Sequence, residues 1–412
     1  MTPTFTGILS RHTLITIANA VVRPVMRTLL VSAVFPLFVW PLQAQAQTTR
    51  EYPSEKGAVV VVELLSGLDY PWSMAFLPDG SGALITERPG HLRLWKTDGG
   101  LSEPIGGVPG VYARGQGGLL DVALAPDFEQ SRRVYLSYAE QGEDEKAGTA
   151  VGYGVLSADE RTLEGFTVIF QQMPKLSSGV HFGSRLVFDQ QGDLFIALGE
   201  NNQRPTSQDL DKLQGKVVRL HPDGSVPDDN PFVGQAQARP EIWSYGHRNQ
   251  QGAALNPWSG TLWTHEHGPR GGDEINIPQA GKNYGWPLAT HGKNYTGFAI
   301  PEAQGDHVDG TEQPIYYWKV SPAISGMAFY DAKRFPAWRH SLFIGALKEQ
   351  NLIRLELDGD KVVHEERLLE PLKERIRDVR VGPDGYVYVL TDASNGRLLK
   401  IGLKSSAKPN AS

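Results

Sequence analysis

The chain has 412 residues, 40% of them hydrophobic and 21% charged, which is ample for a large core. Forty Lys and Arg stand against 46 Asp and Glu for a net charge of −6, and no basic tract gathers positive charge, which argues against a nucleic-acid or anionic-membrane binder. Cysteine is absent, so no disulfide or thiolate is available, while 45 Gly and 28 Pro fall singly between short apolar runs and announce many turns.

The first element in chain order is a targeting segment. Arg23 and Arg27 precede a mainly apolar stretch from Leu29 to Leu42 that ends in Ala44-Gln45-Ala46, the basic, apolar, small order of an export signal. That stretch is shorter than the roughly 20 residues a spanning helix needs, and Pro36 and Pro41 interrupt it. Residues 1–46 therefore read as a removed signal, with Met26 an alternative start, and the mature chain is expected in the periplasm or outside the cell without a membrane span.

From residue 47 to residue 412 six related segments follow, each an alternating apolar run, a turn rich in Pro, Asp or Gly, and a second apolar run. They begin at Met74, Val122, Leu186, Ala253, Met327 and Val379, and reach their second runs at Ala83, Val134, Leu194, Leu262, Leu342 and Val387. Strand pairs at intervals of roughly 50 to 75 residues, with no long amphipathic helix between them, predict an all-β fold: one domain, a six-bladed β-propeller of four-stranded antiparallel blades. Ala58 to Leu64 and Arg397 to Leu403 supply end strands to close the ring through both termini.

The long polar loops between repeats are where function is expected, because they converge over the axis. His181, at a loop-to-strand junction, is a candidate proton acceptor. Arg248, Lys348, Arg375 and Arg377 form a dispersed cationic set suited to a small polyanion, the two last sharing one face of an extended segment. Gln116 and Trp318 add an amide and an aromatic face. His265 and His267 lack a third His or Cys to complete a zinc site, whereas the Gly268-Pro269 turn can offer main-chain carbonyls to calcium.

Taken in order, Gly115-Gln116-Gly117-Gly118-Leu119-Leu120, Leu213 to Leu220, Tyr245-Gly246-His247-Arg248-Asn249, Gly268-Pro269 to Glu274, Asn283-Tyr284-Gly285-Trp286-Pro287 and Arg375-Ile376-Arg377-Asp378 resemble the soluble pyrroloquinoline-quinone (PQQ)-dependent sugar dehydrogenases, most closely their aldose sugar dehydrogenase branch. The resemblance spans nearly the whole mature chain. It implies a propeller with PQQ over the axis and an active-site Ca²⁺ on the carbonyls of Gly268 and Pro269. Lys348, Arg375 and Arg377 would hold the cofactor's carboxylates, Arg248 and Asn249 would lie beside its quinone oxygens, Gln116 would line the pocket and Trp318 would stack. His181 would take the proton from the sugar's C1 hydroxyl as hydride passes to the quinone, with Arg248 stabilising the charge that develops, and the product would be an aldonolactone. Glu274 and Tyr284 match positions where relatives bind additional calcium.

Glucose-preferring relatives follow the base with Gln-Ser-Gly-Arg, where this chain has Phe182-Gly183-Ser184-Arg185, and their Gly-Asp loop is Gly199-Glu200 here, so the sugar is not fixed by the resemblance. The implied partners are a small sugar and an unidentified electron acceptor, for a monomer or a homodimer. Two rival readings of such a propeller are a calcium-dependent lactonase, which needs carboxylate and Asn ligands from several blades, and a non-enzymatic extracellular binding propeller, which would have lost His181, Lys348 or Arg375.

Overall fold

The computed structural model describes residues 48–404; the expected export signal lies outside them. Six antiparallel sheets make six blades, five of four strands and one of five. Each of the six sequence repeats forms the two inner strands of one blade. The innermost strands are Pro71–Phe76, Leu119–Leu124, Gly183–Phe188, Gln250–Leu255, Ile324–Tyr330 and Ile376–Val381, each paired with the strand that follows it. Burial on both faces explains why the second strands, such as Leu194–Leu198 and Val387–Thr391, are continuous apolar runs buried along their whole length.

The ring closes as the end strands require. Val59–Leu68 pairs with Gly396–Leu403 in the sixth blade, and Thr49–Tyr52 adds a fifth, outermost strand that the sequence pattern did not signal. Neighbouring blades pack through apolar clusters, for example Leu84, Val122 and Leu136 between the first two blades. Buried carboxylates also staple inner strands together: Asp121 accepts from the Leu186 N–H at 2.8 Å and Asp378 from the Met74 N–H at 3.0 Å. These two acids enclose Arg185, at 3.3 and 2.8 Å, so the axis is filled beneath the site by a paired ionic network. Among the described residues no helix is long and apolar enough to cross a membrane.

Candidate active site

The first and second strands of each blade are joined by a hairpin at one rim, so the start of the first strand and the end of the second meet at the other. Residues at that second rim line a cavity of ≈ 230 Å³ on the axis. Trp72, Leu120, Phe182, Asn249, Ala323 and Arg375 stand at or beside the starts of first strands, and Arg88, His267, Leu347 and Asp392 directly follow the ends of second strands. All six blades contribute, which is how residues some 300 positions apart come to share one wall.

The cavity is built for an anion with a flat apolar face. Arg88, Arg375 and Arg377 line it, and Asp392 is the single carboxylate among its walls. Arg375 grips Asp392 through two nitrogens at 2.7 and 3.0 Å and donates to the Leu347 carbonyl at 3.1 Å. Arg377 reaches the same carboxylate at 3.4 Å and Gln251 at 3.1 Å, which leaves its buried Nε without a partner. Burial lowers the Arg377 pKa and Asp392 opposes the shift, while Arg185, Arg375 and Arg88 add to it. Against the cost of its own burial, Asp392 is held below the usual carboxylate range by Arg377 and Arg375. One carboxylate cannot neutralise three guanidiniums, so a bound polyanion would relieve the excess. Trp72 supplies an apolar face, buried to 4% exposure with Arg185 4.2 Å and Arg377 5.9 Å from its ring centre.

His181 stands beside this cavity in a left-handed backbone conformation, φ +54°, that few non-glycine residues adopt without tertiary support. Its N–H donates to Gln116 at 2.8 Å, and its carbonyl accepts from the Asn201 N–H at 3.2 Å and side chain at 3.3 Å. Gly199 must be glycine because a Cβ there would sit 1.9 Å from the His181 carbonyl oxygen. The ring's Nδ1 lies 2.8 Å from Glu200, a fully buried carboxylate. A carboxylate only accepts, so Nδ1 carries the proton and the Nε2 lone pair is left to act as a base. The loop bearing Glu200 is anchored by Lys216, whose buried ammonium donates to the carbonyls of Thr206, Ser207 and Gln214 at 2.7 to 3.0 Å. Burial pushes this lysine down to about 7.

Arg248 is 5% exposed and donates to the carbonyls of His267 and Gly268 at 2.9 and 3.1 Å, with its guanidinium 5.3 Å from the Trp286 ring centre. Glu266 fixes it from behind, taking the Arg248 N–H on one oxygen and His247 Nδ1 on the other at 2.8 Å. Asn249 lines the cavity and accepts from Gly183 at 3.3 Å and Gln251 at 3.2 Å. His267 touches the same space with its imidazole pushed down to about 4 by burial, so it is neutral at physiological pH.

Gly268, Pro269 and Lys348 line a second hollow that shares His267 and Ala323 with the cavity. The Gly268 carbonyl already accepts one bond from Arg248 and keeps a second lone pair, while the Pro269 carbonyl accepts none among the described residues. Two such oxygens suit a hard cation that draws its other ligands from a bound anion. Lys348 is exposed and donates to the Ser321 carbonyl at 3.2 Å.

Trp318, Glu274 and Tyr284 line neither the cavity nor the hollow beside it. Trp318 is a correction: it sits on the outermost strand of the fourth blade, Tyr316–Trp318, with its indole N–H on Glu365 at 2.6 Å, and an outer strand cannot reach the axis. Trp72 provides the aromatic wall instead. Glu274 and Tyr284 are joined only through a relay of intermediates. Asn276 donates to both Glu274 and Glu266, Glu266 holds His247, and His247 stacks on Tyr284 at 4.8 Å. Burial and the charge of Glu266 raise Glu274 to about 8, and the Tyr284 hydroxyl is spent on Ile277 at 2.5 Å. Among the described residues no group of three or more His, Asp or Glu gathers to hold a metal ion. Sequence reasoning missed Trp72, Arg88 and Asp392 and left Glu200 without a role. The signal that finds them is positional, since each stands at or within two residues of the axial-rim end of a repeat strand.

A family model described as glucose/sorbosone dehydrogenase matches residues 68–400. The chain is 66% identical over 345 residues to aldose sugar dehydrogenase YliI of Escherichia coli (strain K12), covering 84% of this chain and 93% of that protein. The apo-form structure of the soluble aldose sugar dehydrogenase of Escherichia coli superposes with a TM-score of 0.83 at 64% identity, covering 84% of this chain and all of that one. The PQQ-bound aldose sugar dehydrogenase of Streptomyces coelicolor superposes with a TM-score of 0.70 at 27% identity, covering 85% of this chain and all of that one.

Proposed function

The chain belongs to the glucose/sorbosone dehydrogenase family, and from that premise we propose that it oxidises aldoses at C1 to aldonolactones with PQQ and Ca²⁺. The observation that carries this reading is the axial cavity itself: three guanidiniums around one carboxylate, a flanking tryptophan face, and a histidine base beside them oriented by a buried glutamate.

In this reading Arg88, Arg375, Arg377 and Lys348 hold the cofactor's carboxylates, Asn249 and Gln116 flank its ring, and the carbonyls of Gly268 and Pro269 offer the ion two oxygens. When bound, PQQ supplies a carbon that accepts hydride and Ca²⁺ supplies Lewis acidity beside it. His181 Nε2 takes the C1 hydroxyl proton of the sugar while Glu200 keeps the ring in the required tautomer and shares the positive charge that results. Arg248, fixed by Glu266 and the His267 and Gly268 carbonyls, is preorganised to stabilise negative charge without rearrangement. Additional calcium at Glu274 and Tyr284 belongs to this proposal only as an expectation of the resemblance. Export to the periplasm or the outside belongs to this proposal on the order of residues in 1–46 alone.

A lactonase would need several carboxylates converging on one ion, and the cavity's single carboxylate is spent on two arginines. The cofactor-free chain, supplied with PQQ and Ca²⁺, is expected to reduce a phenazinium dye when given aldoses. Silence across a broad panel of sugars and alcohols would overturn the reading.

A further inference from the structure

The hollow beside the cavity, ≈ 840 Å³ in volume, is lined by Arg270, Lys293, Lys319 and Lys348 and by no carboxylate at all. All four side chains are exposed and none forms an ion pair among the described residues, although the chain as a whole is acidic at −6. Three loops make this lip one structure. Arg270 and Lys293 exchange main-chain hydrogen bonds, Gly272 donates to the Trp318 carbonyl at 2.8 Å, and His291 stacks on Tyr317 with ring centres 3.8 Å apart. The same lip carries the three most exposed large hydrophobic residues of the described chain, Phe298 at 77%, Tyr295 at 70% and Val320 at 68%.

Aromatic rings left this open bury little area against the fold, and they stand outside a cavity far smaller than the hollow they border. A cationic field around exposed aromatics is instead the composition of a protein docking site, with Tyr, Phe and Arg at its centre and charge steering the approach. Because the hollow shares His267 and Ala323 with the cavity, whatever docks there lies against the redox site.

We propose that the lip formed by Arg270, Lys293, Lys319, Tyr295, Phe298 and Val320 docks a small one-electron carrier protein with an acidic face, the acceptor that reoxidises the enzyme. The inference rests on the redox reading above. Oxidation of one aldose to its lactone releases two electrons and two protons. A haem carrier takes the electrons in two successive dockings, each turning one ferric iron ferrous, and both protons pass to solvent. Such an interface is small and short-lived, so it works through electrostatic steering more than buried area.

The test uses the full mature chain, first without cofactor. An acidic cytochrome and a basic cytochrome c serve as probes in surface plasmon resonance at about 20 and about 200 mM salt. The acidic probe is expected to bind, and to bind more weakly at high salt, while the basic probe does not bind. Lys293→Glu combined with Lys319→Glu is expected to weaken acidic-probe binding by about tenfold or more. In the reconstituted enzyme the same variant is expected to leave aldose-dependent reduction of a phenazinium dye unchanged. Equal binding of the two cytochromes, or undiminished binding by the variant, overturns the proposal. A selective loss of kcat/KM for glucuronate with cytochrome binding intact also overturns it, and reassigns the lip to acidic substrates. Since binding is read without cofactor, failure of the redox reading would show separately, as absent dye reduction.

Discussion

The cations of the cavity floor and those of the lip obey opposite rules. On the floor, Arg375 and Arg377 are locked by Asp392, Gln251 and the Leu347 carbonyl; on the lip, Arg270, Lys293 and Lys319 have no acid to hold them. Depth explains the contrast for Arg377, which is buried: a buried guanidinium without partners costs several kcal/mol, so its charge is kept only by being fixed. Arg375 is exposed and is held by the shared Asp392 carboxylate, while an exposed lysine with no acid beside it is solvated wherever it points. Fixed charges orient a planar anion at one angle. Mobile ones act at range, and salt screens them. Floor changes should therefore alter chemistry or cofactor affinity with little salt dependence, and lip changes should alter only encounter with a charged partner.

The largest effect should come from the base. His181→Gln is expected to lower kcat by about 10² or more while cofactor affinity holds, as loss of a general base requires. Unchanged turnover would remove His181 from the mechanism and blur the distinction between floor and lip. Glu200 acts through His181 as a positioning residue. Glu200→Gln should cost about tenfold in kcat with KM nearly unchanged, and Glu200→Asp should restore part of the loss. A rise in KM alone would mean that Glu200 serves the loop and not the base.

The smallest effect tests the anchor beneath that loop. Lys216 sits at about 7 when folded, against an ordinary 10.5. Between those values the unfolded chain holds a proton that the folded chain releases, so this group's contribution to stability rises with pH across the window and is flat below about 7. The urea midpoint of the native chain, measured against Lys216→Met, should gain on the variant as pH rises from 7 towards 10. A constant difference would show the amine to be charged throughout.

Much of the fold was legible because inner strands are buried on both faces and must be apolar. Met74 to Thr86 and Val379 to Leu390 state their hairpins openly. Outer strands carry no such constraint, and pairs as short as Gly100–Leu101 or as polar as Thr49–Tyr52 left no pattern to read. Within the site, Arg375 and Arg377 were legible as a same-face pair and His181 as a junction residue. Trp318 misled because aromatic character says nothing about distance from the axis, which only strand order within the blade decides. Arg88 and Asp392 were invisible for the complementary reason: each looks like an ordinary surface charge until the rim brings it opposite a partner from elsewhere in the chain.

The central claim is that the floor is preorganised for a quinone polyanion. Titrating the cofactor-free chain with PQQ and Ca²⁺ while following the quinone's absorbance tests it most directly. The account predicts saturable binding of one quinone per chain, weakened by about tenfold or more in Arg377→Met and unaffected by Lys293→Glu with Lys319→Glu. An unchanged spectrum, or equal affinity in the Arg377 variant, would contradict it.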